Sequence, residues 1–227
     1  LRLILEDTEI RRADFSLLAS GTFSEGIHLV WGPVGCGKTT LALLLAALLP
    51  PHRGEVRMEE IRQTKLLMQF AEYQVTCATL AEEVESWGVP SEPVLKEADL
   101  AGRGAADPLS LSRGELKRLL LLTLLCTGPD LLLLDEPFGG MDCRERRKMI
   151  GKLAAPSRRI TILFTHDHGI LPPIDHLWEI EGGRLLDRGG MPQALQSWSC
   201  PPPYLRSVLE RGIISPPFSP EGSGRTG

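Results

Sequence analysis

The stretch Gly32-Pro33-Val34-Gly35-Cys36-Gly37-Lys38-Thr39-Thr40 constrains this chain more than any other. It matches G-x-x-x-x-G-K-[ST] and lies between an apolar run, Gly26–Trp31, and a leucine-rich run over residues 38–49. The pattern works at a strand-to-helix junction, where glycines let successive backbone N–H groups converge on phosphate oxygens. The helix N-terminus adds a partial positive charge. The spacing therefore predicts a buried strand, a phosphate-cradling loop over residues 32–40, and a helix over 38–49 that Pro50-Pro51 stops. Lys38 is expected to reach the β- and γ-phosphates of a nucleotide, and the Thr39 hydroxyl to bind Mg²⁺.

Such a metal site needs a carboxylate. Leu131–Asp135 followed by Glu136-Pro137 supplies one: four leucines read as a buried strand, and Asp135 emerges at its C-terminal end, where ligands bind in α/β sheets. Asp135 is expected to hold Mg²⁺, directly or through water. Glu136 follows on the same edge, placed to polarise the water that attacks a γ-phosphate. Ile160–Thr165 is a second short apolar run with a helix at 144–153 before it, so strand, helix and strand alternate as in a mostly parallel α/β sheet. Residues 1–31 read as β-rich, 65–70 as a strand, and His176–Glu181 with 184–187 as a late hairpin. From about residue 71 mixed charge and prolines replace the strand pattern, which reads as a small helical insertion. Ser112 and Glu115 form an S-x-x-E capping box that starts a helix over 112–126.

Leucine supplies 39 of the 227 residues and raises the membrane question. The longest apolar runs, 41–49 and 119–126, fall far short of the ~20 residues that cross a bilayer, so a buried core is the expected use. No basic start followed by an apolar core marks a signal peptide. Five scattered cysteines without a C-x-x-C pair argue against a disulfide framework or zinc site. A net charge of −4 argues against a broad nucleic-acid footprint. His166-Asp167-His168 has too few ligands for a metal. Cys36 contributes mainly backbone, and Trp87, Trp178 and Trp198 read as core or contact residues.

Leu111-Ser112-Arg113-Gly114-Glu115 resembles the LSGGQ signature of ATP-binding-cassette (ABC) ATPases, and Ser112 stands 23 residues before Asp135, the spacing usual in that family. Gln69 matches its Q-loop, Gly139-Gly140-Met141-Asp142 its D-loop and His166 its switch histidine. The resemblance spans residues 10–190. It implies a P-loop (RecA-like) core with an N-terminal antiparallel β subdomain and a helical insertion at about 71–127, all one domain over 1–211, with a loose tail at 212–227. It implies ATP and Mg²⁺ as cofactors. Residues 32–40, Gln69, Ser112, Arg113, Gly114, Glu115 and Asp142 would face nucleotide. Thr39, Gln69 and Asp135 would face metal, and Lys38, Glu136 and His166 would be catalytic. It further implies a head-to-tail dimer with a second ABC ATPase subunit, each nucleotide lying between one subunit's phosphate loop and the other's signature. An integral membrane transport subunit would hold the pair at the cytoplasmic face of the membrane.

Gln69-Phe70-Ala71-Glu72-Tyr73-Gln74, with residues 79–88 and 203–217, is similar to energy-coupling-factor and cobalt/nickel-type importers, which implies a vitamin or transition-metal solute. Non-transport ABC ATPases acting on DNA or ribosomes are the alternative, but they usually carry coiled coils or fused cassettes. An unrelated P-loop kinase or GTPase leaves LSRGE and His166 unexplained. Two positions depart from the family: Arg113 replaces a glycine, and the adenine-stacking aromatic is missing, with Arg11 in that region and Phe15 on the next strand.

Overall fold

The computed structural model describes residues 1–12, 15–167 and 169–205; His168 and the 212–227 tail lie outside them. The strands are β1 (Arg2–Arg12), β2 (Phe15–Ser24), β3 (Gly26–Trp31), β4 (Arg53–Glu59), β5 (Thr64–Leu67), β6 (Leu131–Asp135), β7 (Ile160–Thr165), β8 (His176–Glu181) and β9 (Arg184–Gly190). Among the described residues they form one nine-stranded sheet in the order β4-β1-β2-β9-β8-β3-β7-β6-β5. From β8 through β5 neighbours are parallel. β1 runs antiparallel to both β2 and β4, and β8 to β9.

The leucines explain themselves in this sheet. Side chains alternate faces along a strand, and every residue of Leu131–Asp135 is buried. Leu132 and Leu134 join a core under α4 (Arg113–Cys126) and α5 (Cys143–Leu153), while Leu131 and Leu133 join the core around α1 (Lys38–Leu45). A strand covered on both faces reads as a continuous apolar run. Two further α-helices among the described residues, α2 (Leu80–Glu85) and α3 (Ser91–Glu97), pack on the α4 side.

Three departures from the sequence reading have local causes. The first helix ends at Leu45, four residues early. Ala47 turns left-handed (φ 56°), and Leu48 N donates to Leu43 O at 2.9 Å, a backbone closure of the Schellman kind that ends a helix before proline is reached. The strand expected over 65–70 stops at Leu67. There the Gln74 side chain accepts from Met68 N (2.7 Å) and donates to Leu66 O (2.8 Å), standing in for a ladder partner. β4 is unexpected: the alternation Glu55-Val56-Arg57-Met58-Glu59 is short, and its inward residues Val56 and Met58 are only half-buried. Its exposed face carries Arg53, Glu55, Arg57 and Glu59, a usual protection of sheet edges.

Candidate active site

The phosphate loop leaves β3 and enters α1 as expected. Gly37 is the N-cap of α1 at φ 106°. A Cβ there would lie 2.2 Å from the Phe15 ring, so only glycine lets the loop close on that ring. Phe15 is thus packed beneath the loop, while Arg11 pairs with Glu9 at 2.5 Å. The Lys38 ammonium is buried and donates to the carbonyls of Gly32 (2.6 Å) and Pro33 (2.9 Å). Cys36 Sγ lies 4.0 Å from that ammonium. Burial pushes its thiol up, against the pull of Lys38, so it is a poor nucleophile at neutral pH.

β5, β6 and β7 end beside this loop, and their last residues converge on it. Lys38, Thr39, Thr40, Gln69, Asp135, Glu136 and His166 line one cleft. Thr39 Oγ1 donates to Asp135 Oδ2 at 2.6 Å. Asp135 is 2% exposed, and its other oxygen, Oδ1, is buried without a partner. Burial raises the Asp135 pKa, Glu136 adds to this, and Thr39, Lys38 and Lys117 oppose it. A hydroxyl, an amide and an unsatisfied carboxylate oxygen are hard donors of the kind Mg²⁺ takes. Among the described residues no cluster of three His, Cys, Asp or Glu side chains competes as a metal cage.

Glu136 is held at every polar group. Its backbone is left-handed (φ 47°), a strained conformation for this residue type. Its N–H donates to Phe164 O at 3.0 Å, and its carbonyl accepts from Lys117 Nζ at 2.6 Å. Its carboxylate accepts from Thr165 Oγ1 (2.7 Å) and His166 N (2.9 Å) and lies 2.5 Å from His166 Nδ1. The predicted catalytic pair is therefore in direct contact.

The signature residues lie outside this cleft. Ser112 caps α4, and its capping box with Glu115 is complete: Glu115 N donates to Ser112 Oγ (3.3 Å) and Ser112 N to Glu115 Oε2 (2.9 Å). These bonds from Ser112 hold the Glu115 carboxyl below its usual range. Arg113 is exposed, with Glu72 4.0 Å away. Asp142 caps α5, accepting from Arg144 N and Glu145 N at 2.8 Å each. A Cβ on Gly114 would sit 2.2 Å from Gly140 O, so the D-loop presses against the signature helix.

Sequence reasoning missed Lys117, Thr165 and Glu83. Glu83 is fully buried and accepts from Thr76 N (2.8 Å) and Cys77 N (2.9 Å), fixing the chain beyond the Q-loop. Lys117 had one available signal: a cation within a run destined for the core needs an acceptor there.

The family model described as ABC transporter matches residues 19–139. The chain belongs to the ABC transporter family. This ABC domain is 34% identical over 168 residues to the aliphatic sulfonates import ATP-binding protein SsuB 3 of Rhodococcus jostii, covering 71% of this chain and 58% of that protein. It is 29% identical over 189 residues to the spermidine/putrescine import ATP-binding protein PotA of Pseudomonas aeruginosa, covering 74% and 52%. The chain thus spans little more than half the length of these two relatives. A solved ATP-binding subunit of an ABC transporter superposes with a TM-score of 0.73 at 18% identity, covering 92% of this chain and all of that one, a likeness of fold.

Proposed function

We propose that this chain is the ATP-binding and ATP-hydrolysing subunit of an ABC importer, acting as a head-to-tail pair on a separate integral membrane subunit. The observation that carries the reading is the Thr39–Asp135 bond, with Asp135 Oδ1 unsatisfied beside the Glu136–His166 pair. Thr39, Asp135 and Gln69 would hold Mg²⁺, which supplies charge neutralisation to the phosphates when bound.

The remaining steps belong to the chain's own residues. Lys38 exchanges the carbonyls of Gly32 and Pro33 for β- and γ-phosphate oxygens, and the loop amides over residues 32–40 bind the rest. Glu136 accepts a hydrogen bond from the attacking water and takes its proton. Thr165 keeps that carboxylate aimed, and His166 passes from Glu136 to the γ-phosphate when nucleotide enters. Ser112, Arg113, Gly114, Glu115 and Asp142 stand outside their own cleft, which supports a role on the partner's nucleotide. The N-terminal amides and dipole of α4 would meet its γ-phosphate.

Phe70 and Tyr73 are 46% and 77% exposed next to Gln69, and exposed aromatics of this kind favour a protein contact. With α2 and α3 they form the docking face for the membrane subunit, within a single unit over residues 1–211. Among the described residues no helix is long and apolar enough to cross a membrane, so attachment at the cytoplasmic face runs through that partner. The names of the relatives support an importer of small organic ions. They do not support the vitamin or transition-metal type, which rests on the resemblance of the Gln69–Gln74 stretch alone. A pull-down of the tagged chain from detergent extract tests the assignment. Recovery of a multi-span membrane protein, lost when Phe70 and Tyr73 become alanine, is expected; recovery of DNA or ribosomes instead would contradict it.

A further inference from the structure

Lys117 lies in the second turn of α4, five residues after Ser112 and next to the conspicuous leucines of that helix. Its side chain is 6% exposed. Burying an ammonium is costly unless acceptors surround it. Here its Nζ donates to the backbone carbonyl of Glu136 at 2.6 Å, and a Cβ on Gly139 would lie 3.1 Å from that Nζ. The loop after β6 therefore wraps closely round the ammonium.

This bond belongs to a row of contacts. Residues three and four apart share a helix face, and Gly114, Lys117 and Arg118 all face the segment after Asp135. Gly114 packs on Gly140 O, Lys117 holds Glu136 O, and Arg118 pairs with Glu145. Of these only Lys117 touches Glu136. The backbone there is left-handed, so its geometry must be imposed by surrounding bonds. Its N–H is fixed by β7 and its carboxylate by Thr165 and His166. Its carbonyl accepts from Gly139 N at 3.3 Å within its own turn and, at the shorter 2.6 Å, from Lys117, its tie to the helix that carries the signature.

We propose that Lys117 is a positioning residue, coupling the signature helix to the catalytic carboxylate of the same chain through the Glu136 carbonyl. The proposal rests on Glu136 being the general base. A shift of α4 when its N-terminus engages the partner's nucleotide is then passed to the chain's own Glu136, so that each site in a pair senses occupancy of the other. A small backbone rotation at Glu136 displaces its carboxylate relative to the water, and misplacement of that order is what costs rate rather than binding.

The test uses the full chain with Lys117→Met, Lys117→Gln and Glu136→Gln, singly and with Lys117→Met combined with Glu136→Gln. Steady-state phosphate release, fluorescent-ATP affinity and thermal unfolding are measured for each. Lys117→Met is expected to lower kcat about tenfold with KM and nucleotide affinity within about twofold, the pattern of a lost transition-state interaction. Lys117→Gln, whose amide has a shorter reach, falls between. In the Glu136→Gln background Lys117→Met is expected to lower the residual kcat no further.

A purely structural Lys117 would lower the unfolding temperature while leaving kcat unchanged, or would give the same fold-loss in both backgrounds. Either result overturns the proposal, as does an effect confined to KM. If Lys117→Met does not fold, Lys117→Gln carries the same comparison. Normal turnover by Glu136→Gln would instead overturn the general-base reading beneath, and the coupling with it.

Discussion

Asp135→Asn changes one charge at the centre of the cleft, and two opposite consequences follow. The amide oxygen can still accept from Thr39 Oγ1, so the 2.6 Å bond has a replacement. The buried negative charge disappears. Burial and the neighbouring Glu136 raise the pKa of that carboxyl against the pull of Thr39, Lys38 and Lys117, so in the nucleotide-free protein the ionised form is a net cost. A buried polar atom without a partner costs about 1–3 kcal/mol. The amide NH₂ takes the place of the orphaned Oδ1 and stays unpaired, so only the extra cost of an unpaired charge over an unpaired neutral group is relieved, about 1 kcal/mol. In a chain of this size that raises the unfolding temperature by about 2–4 °C.

The sign of the pH dependence follows. At pH values below the ordinary carboxyl pKa of about 3.9, the group is protonated folded and unfolded, and it costs nothing. Above it the unfolded chain ionises first, so stability is lost progressively until the folded group also ionises. The advantage of asparagine therefore grows from about pH 4 upward and levels off above the raised pKa. With MgATP the order inverts. Ligand at a hundred times its Kd stabilises the wild type by about 2.7 kcal/mol, or about 5–11 °C, and asparagine forfeits the metal-dependent share. Thermal unfolding of both proteins at pH 5–8, with and without MgATP, reads all of this. A variant less stable than wild type without nucleotide at pH 7, or equally stabilised by MgATP, would refute the reasoning.

Other consequences are sharper but simpler. Gly114→Ala drives a Cβ to 2.2 Å from the backbone oxygen of Gly140; backbone must move, at about 1–3 kcal/mol. Its unfolding temperature should fall by about 2–12 °C, and ATP turnover should fall with it, whereas an unchanged melt would mean the D-loop yields freely. Arg113→Gly should keep or raise ATPase activity, because that side chain is 79% exposed with its nearest charge, Glu72, 4.0 Å away; a collapse in phosphate release would show that the arginine acts on the partner's nucleotide.

What was legible in the sequence was chemistry tied to short spacing. Gly32–Thr40, the Leu131–Asp135 strand and the Ser112–Glu115 box each pair a local backbone requirement with a residue type, and the structure has them where that requirement puts them. What was not legible depends on distant partners or on backbone closure. Apolar periodicity continues through Leu48 and Leu49, but Ala47 ends the first helix by its own backbone turn. β4 is an edge strand whose inward face is only Val56 and Met58, both half-buried, so its alternation is short and weak. Lys117 and Thr165 acquire meaning only when the fold brings the ends of β6, β7 and α4 to one residue, Glu136, the first on its carbonyl and the second on its carboxylate. Asp142, read as a D-loop residue, has its carboxylate engaged in capping α5, a use that a D-x-x-E spacing also encodes.

As proposed, Glu136 drives hydrolysis and ATP joins two copies or two related subunits head to tail. Glu136→Gln with MgATP, followed by molar mass in solution and by phosphate release, tests both halves at once. A stable dimer with bound ATP, and phosphate release slowed by about a hundredfold or more, is expected. A variant that stays monomeric and turns ATP over at the wild-type rate would contradict it.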